Sequence, residues 1–143
     1  MSEEDWTIAV RTLSAAGAQR VLTAAERVAV AKRLAVSIAV VDQAGNLLAF
    51  LRLGHACATS IEASIRKART AANLGAPTRM FEDLLHGGMT SLLAFDFISP
   101  SQGGVPLVAA DSLVGCSGSS GEEDEAIAEA GAAALGATGA GPC

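Results

Sequence analysis

The sequence predicts an α/β domain of the α+β kind. Its central, mostly antiparallel sheet of about five strands is flanked by helices. Three observations lead there. Segments 36–53 and 103–119 each read as a β-hairpin. Stretches of helical periodicity precede, separate and follow them. Hairpins interleaved with helices do not build a doubly wound parallel sheet; they build an antiparallel one that helices cover.

The elements follow in order. Thr7 to Thr12 is a short strand candidate. Ser14 is a plausible N-cap, and Val21, Leu22, Ala25, Val28 and Ala29 repeat at helical spacing, so a helix is expected from Ala15 to Leu34. Val36 to Asp42 is short and β-branched, hence a strand. Asp42 to Asn46 carries turn chemistry, with Gly45 able to adopt positive φ, and Leu47 to Leu53 returns as the second strand. After a loop from Gly54 to Ser60, Thr59 or Ser60 can cap a helix whose apolar face is Ile61, Ile65, Ala68 and Ala72. Gly75 followed by Pro77 ends it. Thr78 is expected to cap a shorter helix from Arg79 to Leu85, which Gly87-Gly88 terminates. Ser91 to Phe97 reads as either a strand or a short helix. Gly103 to Val108 and Leu113 to Ser119 form the second hairpin. The last helix runs from Glu122 to Leu135, its first turn loaded with carboxylates that complement the positive helix N-terminus. Residues 1–135 make one domain, and 136–143 are a flexible tail.

Composition narrows the function classes. A chain of 143 residues is one domain's worth, long enough to bury about two-thirds of its unfolded surface. Alanine dominates the apolar half; Tyr is absent and Trp6 is the sole Trp. Such a core suits closely packed helices on a sheet. The net charge of −5 argues against a nucleic-acid partner, because phosphate contacts need clustered cations. Only Arg66-Lys67-Ala68-Arg69 is locally basic. The acidic start has no apolar leader and no apolar run reaches the length of a membrane span. Cys57, Cys116 and Cys143 form neither a CxxC pair nor an even disulfide framework, so the simplest expectation is a reduced, cytoplasmic protein. No zinc-ligand spacing is present, and no metal site is expected.

Four blocks in register carry a family resemblance. They are Ser37 to Phe50, Ser60 to Ala72 followed by Gly75-Ala-Pro-Thr78, Gly103-Gly-Val-Pro-Leu107, and Val114-Gly115 with Asp124 to Ala134. Together, over roughly residues 15–135, they resemble the GlcG/HbpS-like haem-binding family, which also includes the C-terminal domain of PduO-type proteins. The resemblance implies a profilin-like domain and a homo-oligomer, from a dimer up to an octamer. It also implies a small-molecule ligand that in some members is haem or a corrinoid. The chain departs from the family pattern at Arg66, where a small residue is usual, and at Arg69, where an aromatic is usual. It departs again at Cys116, Ser117, Gly118 and Ser119, which replace Ala, Ile, Gly and Val.

These departures focus the candidate chemistry. Arg66 and Arg69, three apart on one helix face, can clamp a carboxylate, a haem propionate or a phosphate. They can equally be a solvated face paired with Glu62. With Lys67 and His86 they are the candidate cofactor-binding residues. His55 and His86 are the two histidines able to ligate iron or act as a base; His86 is preferred because Gly87-Gly88 lets a planar ligand approach. Cys116, Ser117 and Ser119, together with His86, are the catalytic candidates if the chain is an enzyme, a cofactor-free isomerase, cyclase or lyase acting on an anionic small molecule. Neither Gly103-Gly104 nor Gly118-Ser-Ser-Gly121 matches a phosphate loop, and four carboxylates after Gly121 would repel one. The leading expectation is a small-molecule-binding protein with an arginine-lined pocket, haem being the candidate cofactor.

Overall fold

A computed structural model of the chain describes residues 6–109, 112–117 and 121–135. Its elements, in order, are α1 (Ala15–Ala31), β1 (Ser37–Val41), β2 (Leu47–Arg52), α2 (Thr59–Leu74), α3 (Thr78–His86), a 3₁₀ turn (Thr90–Ala94), β3 (Val105–Ala109), β4 (Ser112–Ser117) and α4 (Gly121–Ala133). The strands form one antiparallel sheet in the order β2-β1-β4-β3. Both predicted hairpins are present, joined through the β1–β4 ladder.

The local chemistry accounts for the boundaries. Ser14 Oγ accepts from Gly17 N at 3.0 Å and caps α1 as its sequence suggests. The helix stops at Ala31, short of the expected Leu34, because Arg33 takes a left-handed conformation (φ 55°) and Leu34 N turns back to Ala29 O. Gly45 supplies the positive φ (86°) of the first hairpin, and Asp42 Oδ1 accepts from Ala44 N and Asn46 N. Gly75 ends α2 in the left-handed region (φ 63°).

Strand β1 is buried throughout, and alternate residues feed two cores. Val36, Ile38 and Val40 pack with Val21, Leu22 and Ala25 of α1, Ile127 of α4 and Leu107 of β3. On the other face Ala39 and Val41 pack under Ala68 and Ala72 of α2. The molecule is therefore layered, with α1 and α4 on one side of the sheet and α2 on the other. The α1–α4 contact explains the small residues: a Cβ on Gly131 would lie 3.0 Å from Val21 Cγ1.

Several expectations are corrected. Four strands are formed among the described residues, not about five. Thr7 to Thr12 forms no strand, whereas Ser91 to Phe97, read as a strand or a short helix, takes the helical alternative as a 3₁₀ turn that ends at Ala94. Thr78 does not cap α3. It is the helix's first residue and wholly buried, and its Oγ1 accepts from Gly104 N at 2.8 Å while its own N–H donates to Gly104 O. Neither Thr59 nor Ser60 is the N-cap of α2; that position is Ala58, and Ser60 Oγ instead donates to Cys57 O. The tail 136–143 lies outside the described residues.

Candidate functional site

Helix α2 carries the basic cluster, and its rotation distributes the three cations. Ser64, Ala68, Ala71 and Ala72 are buried against the sheet, which leaves Arg66 and Arg69 exposed. Lys67 is turned inward. It is 7% exposed, and its Nζ lies 3.1 Å from Asp124 Oδ2 in the first turn of α4. Gly103-Gly104 makes this approach possible. A Cβ on Gly104 would lie 2.4 Å from Lys67 O, and one on Gly103, at φ 134°, would lie 2.7 Å from Asp124 Cβ. The dipeptide is thus the place where chain passes between two charged side chains, a firmer reason for its glycines than strand geometry alone.

Arg66 Nη2 donates to the carbonyl of Asp96. Arg69 Nε donates to Gly45 O at 3.1 Å, and Gly45 stands so close that a Cβ there would lie 2.6 Å from Arg69 Cγ. The two arginines, with Asp96 and Phe97, line a cleft of about 290 Å³. A second cleft of about 490 Å³ adjoins it across Arg66, bounded by Thr59, Glu62, Ile98 and Pro100. Thr70, wholly buried one helix turn from Arg66, fixes the opposite wall: its Oγ1 donates to Arg66 O and accepts from Ser99 N at 2.9 Å. On that wall Phe95 and Phe97 are about half exposed, their rings 5.4 Å apart and tilted by 58°.

His86 is elsewhere. It ends α3 and lines a different cleft of about 460 Å³ with Arg79, Glu82, Glu122, Glu125 and Glu129. That cleft is acidic and internally bonded: Arg79 Nη1 pairs with Glu125 Oε1 at 2.9 Å, and Gln102 bridges Glu82 and Glu125. Within one chain, then, the structure brings Arg66 and Arg69 together and separates both from His86 and from Lys67. His55 is exposed in the loop after β2. Cys116 and Ser117 occupy β4, in register with Val40 and Ala39, and Ser119 lies outside the described residues. Among the described residues no group of three or more His, Cys, Asp or Glu side chains could hold a metal ion. No helix among them is long and apolar enough to cross a membrane.

Two features went unread in the sequence. Phe95 and Phe97 belong to an apolar run in the sequence, and their rings meet because Asp96 and Phe97 form a turn closed by Ile98 N donating to Phe95 O, which that run does not announce. The other is Cys57. It is exposed, with its Sγ 3.2 Å from Thr59 Oγ1. That hydroxyl, then the Ser60 amide, holds its thiol below the ordinary range. A cysteine two residues ahead of a threonine at a helix start was the available signal.

The fold and the cleft define a helix–sheet–helix α+β domain that presents paired guanidinium groups and aromatic rings at its surface. The family described as haem degrading protein HbpS-like matches residues 13–133, and the chain belongs to this family. It is 33% identical over 106 residues to protein GlcG of Escherichia coli K12, covering 74% of this chain and 79% of that one. Among solved structures, HbpS superposes with a TM-score of 0.84 at 30% identity, covering 94% of this chain and 98% of that one. A PduOC–haem complex superposes with a TM-score of 0.77 at 26% identity, covering 88% and 96% respectively.

Proposed function

We propose that this protein binds haem or a closely related planar, carboxylate-bearing tetrapyrrole at the Arg66–Arg69 cleft. The observation that carries the reading is the juxtaposition there of two guanidinium groups with exposed Phe97. A tetrapyrrole has an apolar disc and a carboxylate edge. The arginines match the edge through charge-assisted hydrogen bonds, and the ring of Phe97 matches the disc. Membership of a family described as haem degrading, and likeness to a protein solved with haem, support the same ligand class.

The residues fit the propionate end of such a ligand. Arg66 and Arg69 would hold the carboxylates, and Phe97 would shield one face from water. Haem, when bound, supplies iron-centred redox and ligand-binding chemistry. His86 does not line this cleft in the single chain, so its use as an iron ligand requires a second subunit of a homo-oligomer. We infer that the protein acts in the cytoplasm.

Titration with haemin and with metal-free protoporphyrin IX tests this. Both should bind, because the arginines recognise the carboxylates and not the iron. Arg66→Ala or Arg69→Ala should weaken both by about tenfold or more, each removing a hydrogen bond to charge of about 1.5–3 kcal/mol. His86→Ala should alter the haemin spectrum alone. Absence of any Soret change at micromolar haemin would sink the reading.

A further inference from the structure

We infer that the tetrapyrrole selected at this cleft is an open-chain one, and that Glu62 is the residue that recognises it. The inference rests on the propionate-binding role proposed for Arg66 and Arg69. Glu62, Arg66 and Arg69 stand at i, i+4 and i+7 of α2, so they form one stripe along the exposed side of the helix. Alongside them runs the segment from Phe97 to Pro100, fastened to α2 where Thr70 Oγ1 accepts from Ser99 N. Between helix and segment, the cleft of about 290 Å³ and the cleft of about 490 Å³ meet at Arg66, which lines both. Together they make one trough. Phe97, Ile98 and Pro100 give it an apolar wall, and α2 gives it a polar one.

The polar groups are ordered along the trough. Arg69 uses Nε on Gly45 O and Arg66 uses Nη2 on Asp96 O, so each guanidinium keeps N–H groups for an incoming carboxylate. Glu62 precedes Arg66 by one helical turn, a spacing at which such residues ordinarily pair. Here they do not. Arg66 is drawn to Asp96 O, and the ion pairs among the described residues are Lys67–Asp124 and Arg79–Glu125. The Glu62 carboxylate, exposed in the same cleft as Ile98 and Pro100, is thus an acceptor without a donor from the described residues. The trough offers two donors and then an acceptor, roughly 6 Å further along the helix. A ligand that fits has carboxylates and, beside them, N–H donors on an apolar frame. An open-chain tetrapyrrole has this order, with propionates on its two middle rings and free N–H groups on its outer ones. Haem cannot supply the donors, because iron occupies all four ring nitrogens. A metal-free porphyrin turns its N–H groups into its own centre. Asp96, the other carboxylate here, lines only the arginine end of the trough, away from the outer rings of such a ligand.

Biliverdin, haemin and protoporphyrin IX are titrated against the full chain and its Glu62→Ala and Glu62→Gln variants, by absorption and by calorimetry. Biliverdin should bind about tenfold more tightly than either macrocycle, the worth of one hydrogen bond to a charged group. Glu62→Ala should remove that advantage and any shift of the biliverdin red band, and should leave both macrocycles binding as before. Glu62→Gln keeps an oxygen but not the charge, and should fall between parent and alanine variant. Glu62 is exposed, so both variants should give the parent's circular dichroism spectrum. The inference is overturned if biliverdin and haemin bind alike, if Glu62→Ala leaves biliverdin unaffected, or if it weakens haemin equally; each of these results leaves the Arg66–Arg69 reading standing. Failure of all three ligands to bind, or binding that survives Arg66→Ala and Arg69→Ala together, overturns that reading and this inference with it.

Discussion

Lys67 Nζ and Asp124 Oδ2 meet at 3.1 Å in the interior, joining α2 to α4 across 57 positions of sequence. Both side chains are almost wholly withdrawn from solvent, so each ion depends on the other for the solvation it lost. The pair locks one helix from each side of the sheet around the Gly103-Gly104 passage.

Asp124→Asn keeps the shape of the side chain and leaves the Lys67 ammonium without its counter-ion. The expected loss is about 3–5 kcal/mol of stability, read as a lowered midpoint in urea denaturation. Combining it with Lys67→Met should recover part of that loss, because the double variant buries no lone charge. A double variant less stable than Asp124→Asn would show that the pair's value is not electrostatic.

Gly104→Ala and Gly45→Ala should fail differently. The new methyl at Gly104 meets backbone, Lys67 O at 2.4 Å, which cannot swing aside. Overpacking of this kind costs about 1–3 kcal/mol, and here it strikes the ion pair as well. At Gly45 the methyl meets the flexible Arg69 side chain at 2.6 Å, in a backbone with φ 86°. Stability should fall by about 1–2 kcal/mol from the left-handed conformation. Porphyrin affinity should fall as well, with every guanidinium still present, because Arg69 is displaced from Gly45 O. Isothermal titration beside a thermal melt separates the two effects.

Thr70→Val should loosen the aromatic wall without touching it. The change leaves Ser99 N without the oxygen it donates to, a penalty of about 1–3 kcal/mol if that amide stays buried. Faster exchange at Ser99, with Thr70→Ser restoring the parent rate, is the expected pattern. Equal rates in parent and valine variant would count against Thr70 as the anchor.

Cys57 should alkylate at lower pH than an unperturbed thiol. The folded chain holds its thiol pKa down, so the reactive thiolate appears earlier as pH rises. Thr59→Val removes the first cause and should move the midpoint of the iodoacetamide rate profile upward. Peptide-resolved mass spectrometry keeps Cys57 distinct from Cys116 and Cys143.

The sequence showed most where the determinants are local. Ser14, the Asp42–Gly45 turn and Gly75 each act within a few residues of themselves, and each does what its type suggests. Thr78 and Lys67 were misjudged for the opposite reason. A threonine ahead of a helix looks like a cap until Gly104, 26 residues on, takes its hydroxyl. A lysine between two surface arginines looks like part of their cluster until Asp124 is folded against it. The expected strand at residues 7–12 has the right alternation but joins no ladder among the described residues, and periodicity carries no information about what lies alongside.

Helix α2 has a further consequence. One side of it is fused to the sheet and to α4, while the other presents Arg66 and Arg69 to solvent. A ligand gripped by those arginines therefore reinforces the scaffold itself and not a detachable flap. At a ligand concentration a hundredfold above Kd, the resulting stabilisation is about 2.7 kcal/mol for the whole domain. Calorimetric melting of this small fold then serves as a ligand screen that needs neither a chromophore nor a reaction.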